Sequence, residues 1–159
     1  ILNWLGQLSC GVWLGMLLLF GFGVAAPIFQ FLDSKTQAGL LNGIILQRMN
    51  GLEWICAVIL SGSSLTFYLL RKNRWALIRL GAALVMAALL FYYSEMITPQ
   101  MEALRVTIQN FDIPRAEDNR PEREAFDRLH GRYSAAVTVN LVMALGMAFL
   151  IATTGKDDR

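Results

Sequence analysis

The chain has 159 residues, of which 55% are hydrophobic and 16% charged, with a formal net charge of +2 and a mean hydropathy of +0.46. Charge is missing from long windows instead of being spread evenly, which excludes an ordinary water-soluble domain or a disordered chain and points to a polytopic membrane protein. So small a net charge, without a basic patch, gives no footing for nucleic acid as a partner.

A membrane-crossing helix needs about 20 mostly apolar residues, because the hydrocarbon core is about 30 Å thick and the helix rises about 1.5 Å per residue. The first candidate runs without a charge from Ile1 to Leu32, with a span over about residues 5–26. It exceeds the apolar region of about 7 to 15 residues of a signal peptide and reads as a retained helix. Pro27 marks where the chain leaves the regular span. Gly11 and Gly15 form a GxxxG, expected to let helices approach closely inside the bundle, with dimerisation as the other use. Cys10 in this span and Cys56 in the next are expected at different depths, each as a small buried apolar residue, and not as a disulfide.

In "TQAGLLNGIILQRMN" the residues Leu40, Leu41, Ile44 and Ile45 recur at helical spacing, which predicts an interfacial helix over about 36–49. The second span follows over about 52–70. The loop "RKNRWALIR" holds four basic residues and no acidic one, so it is expected on the cytoplasmic side with the N-terminus and the C-terminal "GKDDR". The third span, about 78–98, is interrupted from Leu80 on only by Glu95, and Phe91, Tyr92, Tyr93, Trp4, Trp54 and Trp75 read as interfacial anchors. A polar extramembrane segment, 99–132, leads into the fourth span at about 133–154. In "EDNRPEREAFDRLHGRY" Asn119 suits a cap, Pro121 a first turn, and Arg120–Glu124, Arg123–Asp127 and Glu124–Arg128 are four-residue pairs. The fourth helix is therefore expected to project beyond the bilayer, with Gly131 as the point where it could bend. No segment alternates as a barrel strand does, so the fold class is all-α: a single domain, 1–159, of four transmembrane helices in a bundle.

Counting depth along these helices gathers polar residues at one level. Glu95 lies 16 residues past Arg79 and Glu53 lies 18 before Arg71, which sets both near the outer edge of a core about 30 Å thick. His130, the only histidine, falls one to two turns outside that edge, on the same half of its helix as Tyr133, Ser134, Thr138 and Asn140. Carboxylates in membrane segments face a bundle interior or a watery cavity. Glu53, Glu95, His130, Ser134 and Arg48 are thus a candidate outer polar cluster. One reading is a latch that fixes helix register. Another is a site for a cation or small polar molecule, and a third makes His130 a ligand to a metal ion or to a tetrapyrrole. A lone histidine without HxxxH or CxxCH supports neither cofactor firmly. No GxSxG, HExxH, P-loop or dinucleotide fingerprint appears, so no enzyme is expected.

The stretches "VWLGMLLLFGFGVAAPIF", "ILQRMNGLEW", "YSEMITPQMEALR" and "FDRLHGRYSAAVTVN" resemble the small bacterial membrane proteins related to transmembrane protein 205, an uncharacterised family with four membrane helices. The likeness runs from Gly11 to about Leu150 and maps the family's recurring residues onto Pro99, Met101, Arg105, His130 and Ser134. It implies the four-helix fold, a bacterial cytoplasmic membrane and no reaction. Two function classes follow as expectations. One is an accessory subunit of a larger assembly, such as a respiratory or photosynthetic one, with the bilayer and other membrane subunits as partners. The other is a transporter-like or sensor protein holding an ion, metal or small molecule at the outer mouth.

Overall fold

A computed structural model describes residues 2–154. The expected C-terminal "GKDDR" and residue 1 lie outside the described residues. The chain forms α1 (Leu2–Leu18), a π-helical stretch (Leu19–Ala25) and α2 (Ala26–Phe31), which run on as one rod. Then come α3 (Lys35–Arg71) and α4 (Arg74–Phe91), a second π-helical stretch (Tyr92–Ile97), α5 (Thr98–Ile108) and α6 (Pro121–Thr154). Four of these rods are long and apolar enough to cross a membrane, and no strand occurs among the described residues.

Both π-helical stretches end two residues before a proline, Pro27 and Pro99. A proline within a helix has no N–H for the carbonyl four residues back, and widening the preceding turn reassigns the freed groups. At the second stretch Thr98 shows how: its backbone N–H and its Oγ1, at 2.8 Å, both donate to the carbonyl of Tyr93. Pro27 therefore does not end the first rod, which continues to Phe31.

The outer helix predicted over 36–49 and the span predicted over 52–70 are one continuous helix, α3, of 37 residues. At about 1.5 Å per residue it reaches about 55 Å, well beyond a hydrocarbon core of about 30 Å. Ser34 caps it by accepting from the Gln37 N–H at 3.2 Å. Its other end closes with Lys72 in the left-handed region, φ 47°. Within α6 the chain runs through Gly131 unbroken from Pro121. Of the three expected pairs there, Glu124–Arg128 forms and Arg123 approaches Asp127 at 3.7 Å, while Arg120 turns to Asp118 at 2.7 Å.

The helices form a ring in which α1 packs on α3 and α6, and α4 packs on the same two. Small residues at the contacts, Ala57, Ser64, Ala83 and Ala144, let the backbones approach, and Trp13, Leu60, Met86 and Met147 fill the space between. At the end of the bundle that carries the turn between Arg71 and Arg74, Arg79 is only 1% exposed. Its Nη1 donates to Asn3 Oδ1 at 2.7 Å, its Nε to Ser64 Oγ at 3.3 Å, and the guanidinium lies over the Phe67 ring at 5.0 Å. Arg79 thus belongs to the packed interior, and the basic turn is made by Arg71, Lys72 and Arg74.

Two packing expectations change. Gly11 and Gly15 face open space, where an added Cβ would meet nothing within 4 Å; Gly6 is the glycine pressed against the bundle, on Arg79 and Ser63. Spacing marks a small-residue face without saying what lies opposite it. Cys10 and Cys56 are both buried and free, as read, but not at separate levels, because Ser9 Oγ donates to the Cys56 carbonyl at 2.7 Å.

Candidate functional site

Away from the Arg71–Arg74 turn the ring opens. The stretch Leu19–Ala25 buries none of its residues, and the wedge it leaves against α3 and α6 is a cavity of about 580 Å³. Leu17, Phe20 and Val137 line its apolar end, while Lys35, Arg105, Arg123 and Asp127 line the other. Arg123 and Thr138 are 15 residues apart on α6, which makes the cavity about 22 Å long at about 1.5 Å per residue.

Glu53 stands at the Val137 end, level with Asn140, and His130, Tyr133 and Ser134 line the stretch between. Glu53 is 3% exposed and accepts from Tyr93 Oη at 2.6 Å, and Asn140 Nδ2 donates to the same hydroxyl at 3.1 Å. This three-residue chain ties α3, the second π-helical stretch and α6 together. Tyr93 is therefore a core residue, 0% exposed, and not an interfacial anchor. His130 lies parallel to the Phe126 ring, centroids 6.3 Å apart. Its neighbours on the wheel, Tyr133, Ser134 and Thr138, line the same cavity.

Two cavity residues keep polar atoms that are buried without a hydrogen-bond partner: Asn42 through Oδ1 and Arg123 through Nε and Nη1. The Arg123 guanidinium is held over the Phe111 ring at 4.4 Å, and the nearby Asp127 is shared with Arg115. Asp127 stands 3.7 Å from Nε, so Nη1 is the guanidinium donor left with most unused capacity at this end of the cavity.

The connection 109–120 covers the charged end. Asp112 accepts from the Thr36 N–H at 3.1 Å and from Ser34 Oγ at 2.9 Å, and Phe111 N–H donates to Thr36 Oγ1 at 2.8 Å. The hydrogen bond from the Thr36 backbone, with those from Ser34 and Thr36 side chains, holds the Asp112 carboxyl below the usual carboxylate range. Arg120 bonds the Ile108 and Asn110 carbonyls and pairs with Asp118, which it brings down to about 2.

Glu95 is not with Glu53. Its Oε1 accepts from Trp54 Nε1 at 3.3 Å and from Ser94 Oγ at 3.0 Å, and it faces a second cavity, of about 550 Å³. Arg48 is exposed and lines neither space. The expected single cluster is therefore divided: Glu53, His130 and Ser134 meet in the first cavity, Glu95 lies in the second, and Arg48 stands apart. Depth counting gives one coordinate of three, and Glu53 and Glu95 differ in azimuth. Among the described residues no three His, Cys, Asp or Glu side chains come together as a metal-holding group. The sequence reading does not single out Asn42 or Arg123 as site residues, although polar residues inside or just beyond charge-poor spans were the available signal; Arg105 is among the residues that the resemblance maps.

Residues 8–109 match the family described as Domain of unknown function (DUF4149). The chain belongs to this family. The matched part of the DUF4149 chain carries Glu53, Glu95 and Arg105, whereas α6, with Arg123, His130 and Ser134, follows it. No curated protein and no solved structure matches the chain.

Proposed function

We propose that this protein binds an anionic amphiphile, of the size of a single-chain lipid, in the first cavity. The observation that carries the reading is the cavity's lining: Leu17, Phe20 and Val137 toward one end, beside the Tyr93-bonded Glu53, and at the other Arg123, whose buried Nη1 has no hydrogen-bond partner. An acidic head would take the guanidinium's donors, a hydroxyl on that head would serve Asn42 Oδ1, and a tail would fill the apolar end. The role is binding, as in a carrier or sensor, and not catalysis. Glu53 is engaged by Tyr93 and His130 by Phe126, and among the described residues no hydrogen bond joins a nucleophile to His130.

The same reading sets the chain in a bacterial cytoplasmic membrane as a multi-pass protein. The Arg71, Lys72 and Arg74 turn, free of acidic residues, supports a cytoplasmic position for that end and for both termini. The bacterial membrane and the kinship with proteins related to transmembrane protein 205 rest on the sequence motifs, of which "RLHGRYS" lines the cavity through His130, Tyr133 and Ser134.

The test is purification in mild detergent followed by native mass spectrometry and extraction of what remains bound. An acidic amphiphile is expected on the wild type. Arg123→Met is expected to weaken its retention about tenfold or more, the effect of losing a charge-assisted hydrogen bond of about 1.5–3 kcal/mol. Equal retention by the variant would remove the basis of the reading.

A second reading, an accessory subunit of a larger membrane assembly, is favoured by one observation: Gly11 and Gly15 open outward from the bundle. Proteins co-purifying in fixed ratio, and lost with Gly15→Leu, would support it; a lone monodisperse chain would not.

A further inference from the structure

The second cavity, about 550 Å³, lies across a wall made by Gly43, Leu46, Met101, Arg105 and Tyr133, residues that line both spaces. We propose that it is a separate site for a primary ammonium group, held by Glu95 and Asn50.

Its chemistry is the reverse of the first. Asn50 is 7% exposed, lines the cavity, and keeps an Oδ1 that is buried without a hydrogen-bond partner. This is an acceptor awaiting a donor. Glu95 supplies the charge, and the bonds from Trp54 Nε1 and Ser94 Oγ to its Oε1 fix the carboxylate's orientation. Glu102 also lines the cavity, but Arg105 neutralises it at 2.7 Å, and Arg105 is the only cationic side chain in the lining. Three charges therefore leave one uncompensated, that of Glu95. A single positive group carrying N–H donors meets both needs, and an ammonium offers three donors from one centre. The Trp54 ring beside the carboxylate adds an apolar wall that favours a cation on a short carbon stem.

The orphan acceptor also sets selectivity. A trimethylated ammonium has the charge but no N–H, so it would leave Asn50 Oδ1 buried and unsatisfied. A site built to hydrogen-bond a group discriminates strongly against the analogue that lacks it. The primary ammonium has two sources, an ethanolamine lipid headgroup or a free amine, and they share this chemistry.

The experiment uses the whole chain in detergent. Native mass spectrometry compares phosphatidylethanolamine with phosphatidylcholine of the same acyl chains, with free ethanolamine added as competitor in a second arm. Retention of the ethanolamine lipid is expected to exceed that of the choline lipid at least about tenfold, the worth of one buried hydrogen bond. Glu95→Gln and, independently, Asn50→Leu are expected to erase that preference. Arg123→Met, in the first cavity, is expected to leave it intact, so failure here and failure of the amphiphile reading are told apart. Displacement by millimolar ethanolamine would assign the site to free amines; persistence against it would assign it to the lipid headgroup. Equal binding of the two lipids by the wild type, or a preference that survives in a monodisperse Glu95→Gln or Asn50→Leu protein, would overturn the proposal.

Discussion

The two ends of the bundle are made from the same helices and differ in what fills the space between them. Near the Arg71–Arg74 turn, Gly6, Ser63 and Ser64 bring α1, α3 and α4 together around the buried Arg79, and Trp13 closes the core above it. At the other end the π-helical stretch Leu19–Ala25 buries nothing, and two cavities lie where side chains would otherwise interlock. Buried polar atoms without a hydrogen bond occur at both ends, Arg79 Nη2 and Trp13 Nε1 at the closed one and Arg123, Asn42 and Asn50 at the open one, but only at the open end do they line a cavity. Close packing is thus concentrated at one end, and both proposed binding sites lie at the other.

The largest test of that contrast removes one aromatic ring from each end. Trp13→Ala, at 0% exposure, is expected to cost about 3 kcal/mol or more through the void it leaves. Phe20→Ala, in the cavity wall, is expected to cost under about 1 kcal/mol, since no packed void is created. Thermal unfolding of both variants in the same detergent reads the difference, and similar losses would erase the distinction between the ends. Next in size is Glu53→Leu, which strips Tyr93 Oη of its acceptor within the buried chain through Asn140. A loss of about 2 kcal/mol is expected, within the usual penalty for an orphaned buried donor. Tyr93→Phe, which leaves Glu53 without that donor, reports the same link from its other side.

Glycine substitutions make a smaller and more local comparison. A Cβ on Gly6 would collide with the Arg79 guanidinium and sit 2.9 Å from Ser63 Oγ. Because Asn3, Ser64 and Phe67 hold Arg79 in place, Gly6→Ala is expected to destabilise by about 1–2 kcal/mol. Gly11→Ala and Gly15→Ala meet open space and should raise helix stability by up to about 1 kcal/mol. A loss at Gly11 or Gly15 in the thermal assay would mean that something covers that face.

How far these features were legible depends on the kind of information each needs. The four spans announce themselves, because hydrocarbon admits almost no charge and the charge-free windows are long. The projecting fourth helix was also readable, from Pro121 and the four-residue charge pairs. The union of 36–49 with 52–70 was not, since the polar residues Gln47, Arg48 and Asn50 mark an aqueous boundary and do not interrupt backbone hydrogen bonding. Glu53 and Glu95 were set at one depth, but their separation into two cavities depends on azimuth, which neighbouring helices decide. Gly11 and Gly15 failed for the same reason: a motif describes one surface, and packing requires two.

The smallest expected effect is a pH response of the segment 109–120. Asp112 has a folded-state pKa below its ordinary value of about 4, so its bonds to Ser34 and Thr36 contribute fully above that value. They are lost as pH falls through the lowered folded value. Protection factors in 109–120, corrected for the intrinsic pH dependence of exchange, should therefore be flat near neutrality and fall in acid. Asp112→Asn should lower them at neutral pH and flatten the acid response. A residual step near pH 2 belongs to Asp118, whose carboxyl titrates there against Arg120. Protection that is the same in the wild type and in Asp112→Asn at every pH would show that Asp112 does not hold the segment.

Arg105 gives the partition between the cavities a further meaning. It lines both spaces, pairs with Glu102 on one side and rests against Gly43 with no room to spare. Any occupant that shifts this guanidinium alters the walls of two compartments at once. Thermodynamic reciprocity then applies: the factor by which a guest in one compartment changes the affinity of the other must equal the factor in reverse. Whether two guests would help or hinder one another is set by whether they prefer the same or opposite placements of that one side chain.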